Sequence, residues 1–390
     1  MAHAPPQVAI IGGGIGGLTL ALALQQHGID AHIHERTPHL REVGAAVALS
    51  ANGTRVLHRL GLADQLAAHS ATPTELIYRH GHSGHRVHAL TAGEDYRHRF
   101  GAPYYGIHRA DLQRLLAEAC AEHTVHLDRR LVDIAPDGHG HRLAFADGTE
   151  TRADIVVGAD GVRSTVRDFI TGTDPAVYSG TSGFRGLVAR DEAPGLPDPD
   201  AIQFWMGPGA HVLHYPIGDG SVINFLAVVD EPARWDDDTW VRRADPADLA
   251  APFTDWHPGL RDLIAASDLH QRWALFGQQP LNRWHRDGLV LLGDAAHAML
   301  PHHGQGANQT IEDAATLAAC LTGDHDRDQA LTRYTRLRRA RTRAVQRSSW
   351  VASGLLHLPD GPAARDRDRD LTGIATTLDW IHGHDTATAL

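Results

Sequence analysis

The residues of this chain best suited to chemistry stand in three separated clusters of glycine and acid. The first is Gly12-x-Gly14-x-x-Gly17, between the apolar run "QVAII" and the helical pattern "LTLALALQQHG". Gly12 permits a tight turn, Gly14 lets backbone approach a pyrophosphate, and Gly17 allows close packing of helix on strand. The free N–H groups and partial positive charge of a helix N-terminus complete an anion site. Glu35 ends a second strand-like run, "IDAHIHE", 18 residues after Gly17. A carboxylate there accepts the ribose hydroxyls of an adenosine and repels a 2′-phosphate, so FAD or NAD is expected rather than NADP. The second cluster is "DIVVGADGVRSTVR", with Asp160-Gly161 at the end of an apolar strand. The third is "LLGDAAHAMLPHHGQGANQTIEDAA", in which Gly293-Asp294 leads through a loop of small residues into a helical pattern.

Composition narrows the chemistry. All 36 basic residues are arginine. Without lysine there is no Schiff-base chemistry on the protein and no Walker A loop. Net charge is −11, which argues against a nucleic-acid surface. Cys120 and Cys320 form neither a disulfide framework nor a metal cluster, and a reducing, cytoplasmic setting is expected. No signal-type segment and no apolar stretch of membrane-spanning length is visible. His297, His302 and His303 share one loop, but no carboxylate stands at ligand spacing, so no metal site is expected.

The elements that must position these residues follow from periodicity. "QVAII", the helix after it and "IDAHIHE" open as a βαβ unit. "SANGTRVLHRLGLADQLAAH" reads as two helices joined at Gly61, and "ELIYRH" and "HRVHAL" as strands. "RADLQRLLAEACAEH" reads as a helix, followed by a hairpin turning at Asp147-Gly148. From Tyr178 to Phe276 short alternating runs predict an inserted antiparallel sheet. Five of the eight tryptophans lie there, suited to a pocket wall or to plain core. The arginine-rich "DQALTRYTRLRRARTRAVQRSSWVASGLL" predicts a long, solvated helix with internal ion pairs. "DGPAARDRDRD" reads as mobile. The fold class expected is α/β, a Rossmann-like domain with an inserted β-sheet domain. Its cofactor domain spans 1–72, 101–176 and 277–322. Substrate-domain segments span 73–100 and 177–276, and a helical region spans 323–390.

Together the three clusters, with "YGIHRADLQRLL" and "YTRLRRARTRAVQRSS", resemble the class A flavoprotein monooxygenases of para-hydroxybenzoate hydroxylase fold. The resemblance spans Val8 to about Ser349. "HVLHYP", "DWHPGLRDLI" and "GDAAHAMLPHHGQGANQTIEDA" are most similar to the salicylate and 6-hydroxynicotinate hydroxylases. It implies that FAD is held by Gly12, Gly14, Ile15, Gly16, Gly17, Glu35 and Arg36 at the adenosine end. Asp294 would hold a ribityl hydroxyl, Arg109 would contact FAD, and Asp160 belongs to a motif tied to FAD and nicotinamide. Pro301 would line the flavin face, and Gly304, Gly306, Ala307 and Asn308 would present helix amides to its pyrimidine edge. Ala48 and Val132 are further cofactor positions. Ala48 stands where 6-hydroxynicotinate hydroxylases carry a histidine, which counts against that particular substrate. Glu312 and Asp313 read as supporting or helix-surface carboxylates.

The resemblance also implies the reaction. NADH or NADPH, bound transiently, reduces FAD, and O₂ then yields a C4a-hydroperoxyflavin that hydroxylates an aromatic acid or phenol. A base near neutral pKa would activate the ring hydroxyl, and histidine suits that role. Alternation along "AHVLHYP" puts His211 and Tyr215 on one face and His214, expected to be structural, on the other. His211, Tyr215 and the flavin-loop His302 match pocket positions of the 6-hydroxynicotinate hydroxylase pattern and are expected to be catalytic or to bind substrate, with Pro301 beside them. Arg185 is expected either to bind a substrate carboxylate or to pair within the fold. The competing readings are monooxygenation of a non-aromatic or biosynthetic intermediate, an FAD oxidase or dehydrogenase, and a non-enzymatic FAD-binding scaffold. A monomer or homodimer is expected, with no nucleic-acid or membrane partner.

Overall fold

The computed structural model describes residues 6–40, 46–121, 124–172, 176–232, 235, 240–267, 271–322 and 326–389. The short apolar runs build a six-stranded sheet in the order His285–Arg286, Leu289–Leu291, Ile155–Gly158, Val8–Ile11, Ala31–His34, Val125–His126. Every pair is parallel except at the His285–Arg286 edge. Leu289–Leu291, Ile155–Gly158 and Val8–Ile11 are fully buried, as strands covered on both faces must be. They are also neighbours, and each runs at its C-terminal end into one of the three glycine-and-acid clusters. Parallel pairing therefore gathers residues from three distant stretches of chain, around Gly12, Asp160 and Asp294, at one end of one sheet.

The helix Ile15–Gln26 is buried from Ile15 to Leu24 and apolar all round, because it lies between the sheet and the helix Gly306–Leu321. Its glycines permit that approach. A Cβ on Gly16 would lie 2.5 Å from Thr310 Cγ2, and one on Gly17 would lie 2.0 Å from the Gly12 carbonyl oxygen. Gly17→Ala is expected to cost about 1–3 kcal/mol, as overpacking does. A lowered unfolding midpoint with FAD released alongside would show it; an unchanged midpoint would mean that the turn relaxes freely.

The second sheet has eight strands, in the order Val241–Arg243, Gln271–Gly277, Val177–Ala189, Val222–Asp230, Ala210–Ile217, Ile202–Gly207, Glu75–His80, Arg86–Thr91. It is larger than the alternating runs predict and is not purely antiparallel, since Ile202–Gly207 pairs in parallel with Glu75–His80. Helices Pro246–Ala250 and Pro258–Ala265, with Trp256 between them, cover one face through Leu249, Trp256, Leu260 and Leu263, packed on Trp205, Val212 and Phe225. Leu213 and Tyr215 point from the other face toward the first domain.

Two expectations for the C-terminal region are overturned. The helix Arg327–Leu356 is not solvated on its arginine face: Tyr334, Arg338, Arg341, Val345 and Ser349, at helical spacing, are all buried. A basic sequence pattern reads as solvent-facing only while its acidic partners on another element go unseen. "DGPAARDRDRD" is ordered as the helix Pro362–Asp370, started by Pro362 in its first turn and anchored by buried Arg367, which donates to the Leu355 carbonyl at 3.1 Å. Among the described residues no helix is long and apolar enough to cross a membrane.

Candidate active site

A cavity of about 760 Å³ extends from the Gly12 turn to the inner face of the large sheet. At the first end Gly12 has φ +112°, and a Cβ there would come within 2.4 Å of the Ala159 carbonyl oxygen, so only glycine serves. Glu35 is held by the Gly13 amide (2.7 Å), the Thr37 amide (2.9 Å) and the Thr37 hydroxyl (2.8 Å). Gly14, Ile15, Gly16 and Arg36 complete this end of the wall. Arg109 starts the helix Arg109–Ala119 and also lines the cavity. One turn later Gln113 donates to the Gly13 carbonyl at 2.9 Å. Sequence reading missed Gln113, although its four-residue spacing from Arg109 puts both on one helix face.

The other two clusters meet this end. Asp160 lines the cavity, but its carboxylate is engaged in building the loop: it accepts from Ser164 Oγ (2.6 Å) and the Thr165 amide (2.7 Å). Burial pushes its pKa up while those donors pull it down, with a net rise. Asp294 begins a short helix after Gly293, whose φ is +63°, and presents an exposed carboxylate on the cavity wall. Pro301, Gly304, Gly306 and Ala307 follow along the same wall.

The sheet contributes Arg185, Leu213, Tyr215 and Asn224 at the far end, facing Ala48 and Pro301. Arg185 stacks over Trp273 at 5.6 Å and has no acidic partner among the described residues. Burial, with the Arg109 charge near it, pulls its pKa below the ordinary value. Burial raises that of Tyr215, so its phenol is neutral at physiological pH. His211 and His302 are brought into contact, ring centroids 5.0 Å apart, yet neither stands on the main cavity wall. His214 is buried and accepts from the Trp205 indole at 2.9 Å, on the opposite face of the strand from Tyr215.

Several placements differ from expectation. Val132 is 45% exposed and off the cavity, because strand alternation turns it outward; its neighbour Leu131 is on the wall instead. Asn308 sits behind the wall, donating to the Ala48 and Gly304 carbonyls (2.9 Å each) and accepting from the Ser50 amide (3.0 Å). Gly17 serves packing rather than the cavity. No tryptophan lines the cavity among the described residues; Trp205 and Trp256 pack the opposite face of the sheet. The three loop histidines diverge: His297 to Asp313, His302 to His211, His303 to Ser348 Oγ.

Glu312 and Asp313 are not surface carboxylates; both are 0% exposed. Arg338 donates to Asp313 (2.7 Å) and Glu312 (2.5 Å), and Arg341 donates to Glu312 (2.7 Å). Asn52 bridges Glu312 (2.6 Å) to Gln305 (3.1 Å). This network anchors the helix Gly306–Leu321 from behind.

The wall fits FAD. The helices Ile15–Gln26 and Gly306–Leu321 both open on the cavity with no acidic residue in the first turn and no side-chain cap. Their free amides suit a pyrophosphate at one end and the electron-rich edge of a flavin at the other. Glu35 and Asp294 offer carboxylates for sugar-type hydroxyls between them.

Comparison with known proteins agrees. Residues 6–349 match the FAD binding domain family. The chain is 40% identical to a 3-amino-4-hydroxybenzoate 2-monooxygenase of Streptomyces platensis, over 98% of this chain and 97% of that one. It is 33% identical to a salicylate hydroxylase of Pseudomonas putida, over 98% and 94%. Among solved structures, a salicylate hydroxylase substrate complex superposes with a TM-score of 0.86 at 29% identity, covering 100% of this chain and 98% of that one.

Proposed function

The chain belongs to the FAD binding domain family, among its FAD-dependent aromatic hydroxylases, and from that premise we propose that it hydroxylates a benzoate bearing a ring hydroxyl or amino group. NADH or NADPH and O₂ are the co-substrates. The observation that carries the substrate class is Arg185, a desolvated cation on the cavity wall that rests on the face of Trp273. A carboxylate is the ligand that would satisfy it.

Bound FAD supplies electron transfer from the nicotinamide and the activation of oxygen. The protein's own groups supply the rest. Glu35, Arg109 and Asp294 would hold the cofactor, and the Gly306 helix amides would favour negative charge at its edge. Arg185 orients the ring by its carboxylate, and neutral Tyr215 offers a hydrogen bond beside it. Leu213, Leu226 and Leu300 keep that end of the cavity apolar. His302, between the wall residues Pro301 and Gly304 in sequence, and His211 in contact with it are the imidazoles proposed to take a proton from a ring hydroxyl.

The test is a panel of 3-amino-4-hydroxybenzoate, salicylate and their decarboxylated counterparts, scored for NADH and NADPH consumption and for product mass. The carboxylated members are expected to gain one oxygen with tight coupling. Consumption that yields only hydrogen peroxide for every member would defeat the assignment.

A further inference from the structure

A chain of buried groups leads from the flavin loop to the surface, and its outer half consists of residues that the mechanism has not used. His302 Nδ1 lies 3.4 Å from His211 Nε2. His211 Nδ1 lies 2.6 Å from His357 Nε2, and His357 Nδ1 lies 2.5 Å from Asp230 Oδ1. His302, His211 and His357 are 2%, 1% and 7% exposed, whereas the Asp230 side chain is 57% exposed. One turn holds the outer pair in place. The Gly209 amide donates to the His357 carbonyl (3.0 Å), and the Asp230 amide donates to the Gly209 carbonyl (2.8 Å).

We propose that His357 and Asp230 form the outer half of a proton relay, which sets the tautomers of His211 and His302 and carries a substrate proton between the active site and solvent. The direction of every hydrogen bond follows from the carboxylate. Ionised Asp230 only accepts, so His357 carries its proton on Nδ1. His357 Nε2 must then accept from His211 Nδ1–H, and His211 Nε2 from His302 Nδ1–H. Each neutral ring has one proton, which leaves the lone pair of His302 on Nε2. That atom is buried and has no hydrogen-bond partner among the described residues, and Pro301 and Gly304, its neighbours in sequence, stand on the cavity wall. Burial keeps all three rings neutral, His302 down at about 3, and at His357 it outweighs the pull of Asp230.

The transfer balances. A ring hydroxyl gives its proton to His302 Nε2. His302 passes its Nδ1 proton to His211 Nε2, His211 passes its own to His357 Nε2, and His357 delivers one to Asp230 and water. The substrate is left as the more nucleophilic phenolate. The reverse sequence reprotonates the product oxygen and restores all three tautomers, so one turnover leaves the relay unchanged.

The inference rests on the hydroxylase reading above, and the experiment separates the two. Salicylate and 3-amino-4-hydroxybenzoate are the probes, with FAD-loaded enzyme. If the wild-type protein hydroxylates neither, the functional reading fails and takes the relay with it. Where it does, His357→Gln keeps a side chain able to hydrogen-bond both neighbours but unable to pass a proton readily. Its kcat is expected to fall about 10- to 100-fold, less than loss of a direct base. KM should stay within about threefold, FAD content should be unchanged, and less bound substrate should absorb as phenolate. Asp230→Asn, at the surface, is expected to act likewise, and Asp230→Glu to restore the rate. Wild-type kcat and phenolate absorbance in both His357→Gln and Asp230→Asn would overturn the relay. So would rate losses that merely track lost FAD.

Discussion

Arg338→Met is expected to lower stability by about 3–5 kcal/mol, because it strands two carboxylates in the protein interior. Glu312 and Asp313 are 0% exposed, and Arg338 reaches both while also donating to the Gln309 side chain at 2.9 Å. Arg341 remains for Glu312, and His297 for Asp313, so the loss is large without being total. Against a typical net stability of about 5–15 kcal/mol, most of the margin disappears. The unfolding midpoint should drop sharply, and FAD retention with it, because the same helix presents Gly306 and Ala307 to the cavity.

The pH dependence has a definite sign. Burial pushes the Glu312 carboxyl up, but Arg338 and Arg341 overcome that and hold it at about 2, below its ordinary 4.5. A depressed folded-state pKa contributes stability that is present above the unfolded value and lost as pH falls through the folded one. The penalty of Arg338→Met should therefore be greatest near neutrality and shrink below about pH 4.5, as the stranded carboxylate takes up a proton. Chemical unfolding of both proteins at pH 7 and pH 4 measures this. The Glu312→Gln/Arg338→Met double variant should lose less than the sum of the single losses. A penalty independent of pH would assign the effect to packing instead of charge.

That network also marks where sequence reading reaches its limit. The three glycine-and-acid clusters were legible because their chemistry is local: a turn, a carboxylate and a helix start lie within a few residues, and the strands before them are plain apolar runs. Their convergence follows from parallel pairing of neighbouring strands. Arg338 and Arg341 were misread as solvated because their partners are on a different helix, and charge in one dimension carries no depth. His357 was invisible for the same reason, lying 146 positions from His211 and 127 from Asp230. Val132 and Leu131 differ by a single step of strand alternation, which periodicity cannot fix at a strand's first residues. Face assignment succeeded within "AHVLHYP", where the run is long enough to set Tyr215 toward the cavity and His214 against Trp205.

Arg185→Met is the second large effect expected, and it divides the two roles the sequence left open for this residue. An arginine paired within the fold would leave a stranded acid when removed, and stability would fall. Here Arg185 has no acidic partner among the described residues, and the face of Trp273 and the Tyr215 phenol do not outweigh the desolvation of its guanidinium. Methionine, of similar length and able to pack on Trp273, should leave the unfolding midpoint unchanged or raise it. Loss of a charge-assisted hydrogen bond worth about 1.5–3 kcal/mol should lower kcat/KM for a hydroxylated or aminated benzoate by about 10- to 150-fold. Most of that loss should appear in KM, since the carboxylate is bound alike before and during reaction. For the decarboxylated phenol the order should reverse, because the variant no longer buries an unpaired cation against a neutral ring. The ratio of kcat/KM for the acid to that for the phenol, measured in both proteins, decides the matter. A ratio unchanged by the substitution would remove Arg185 from substrate recognition, and a fall in melting temperature alone would return it to the fold.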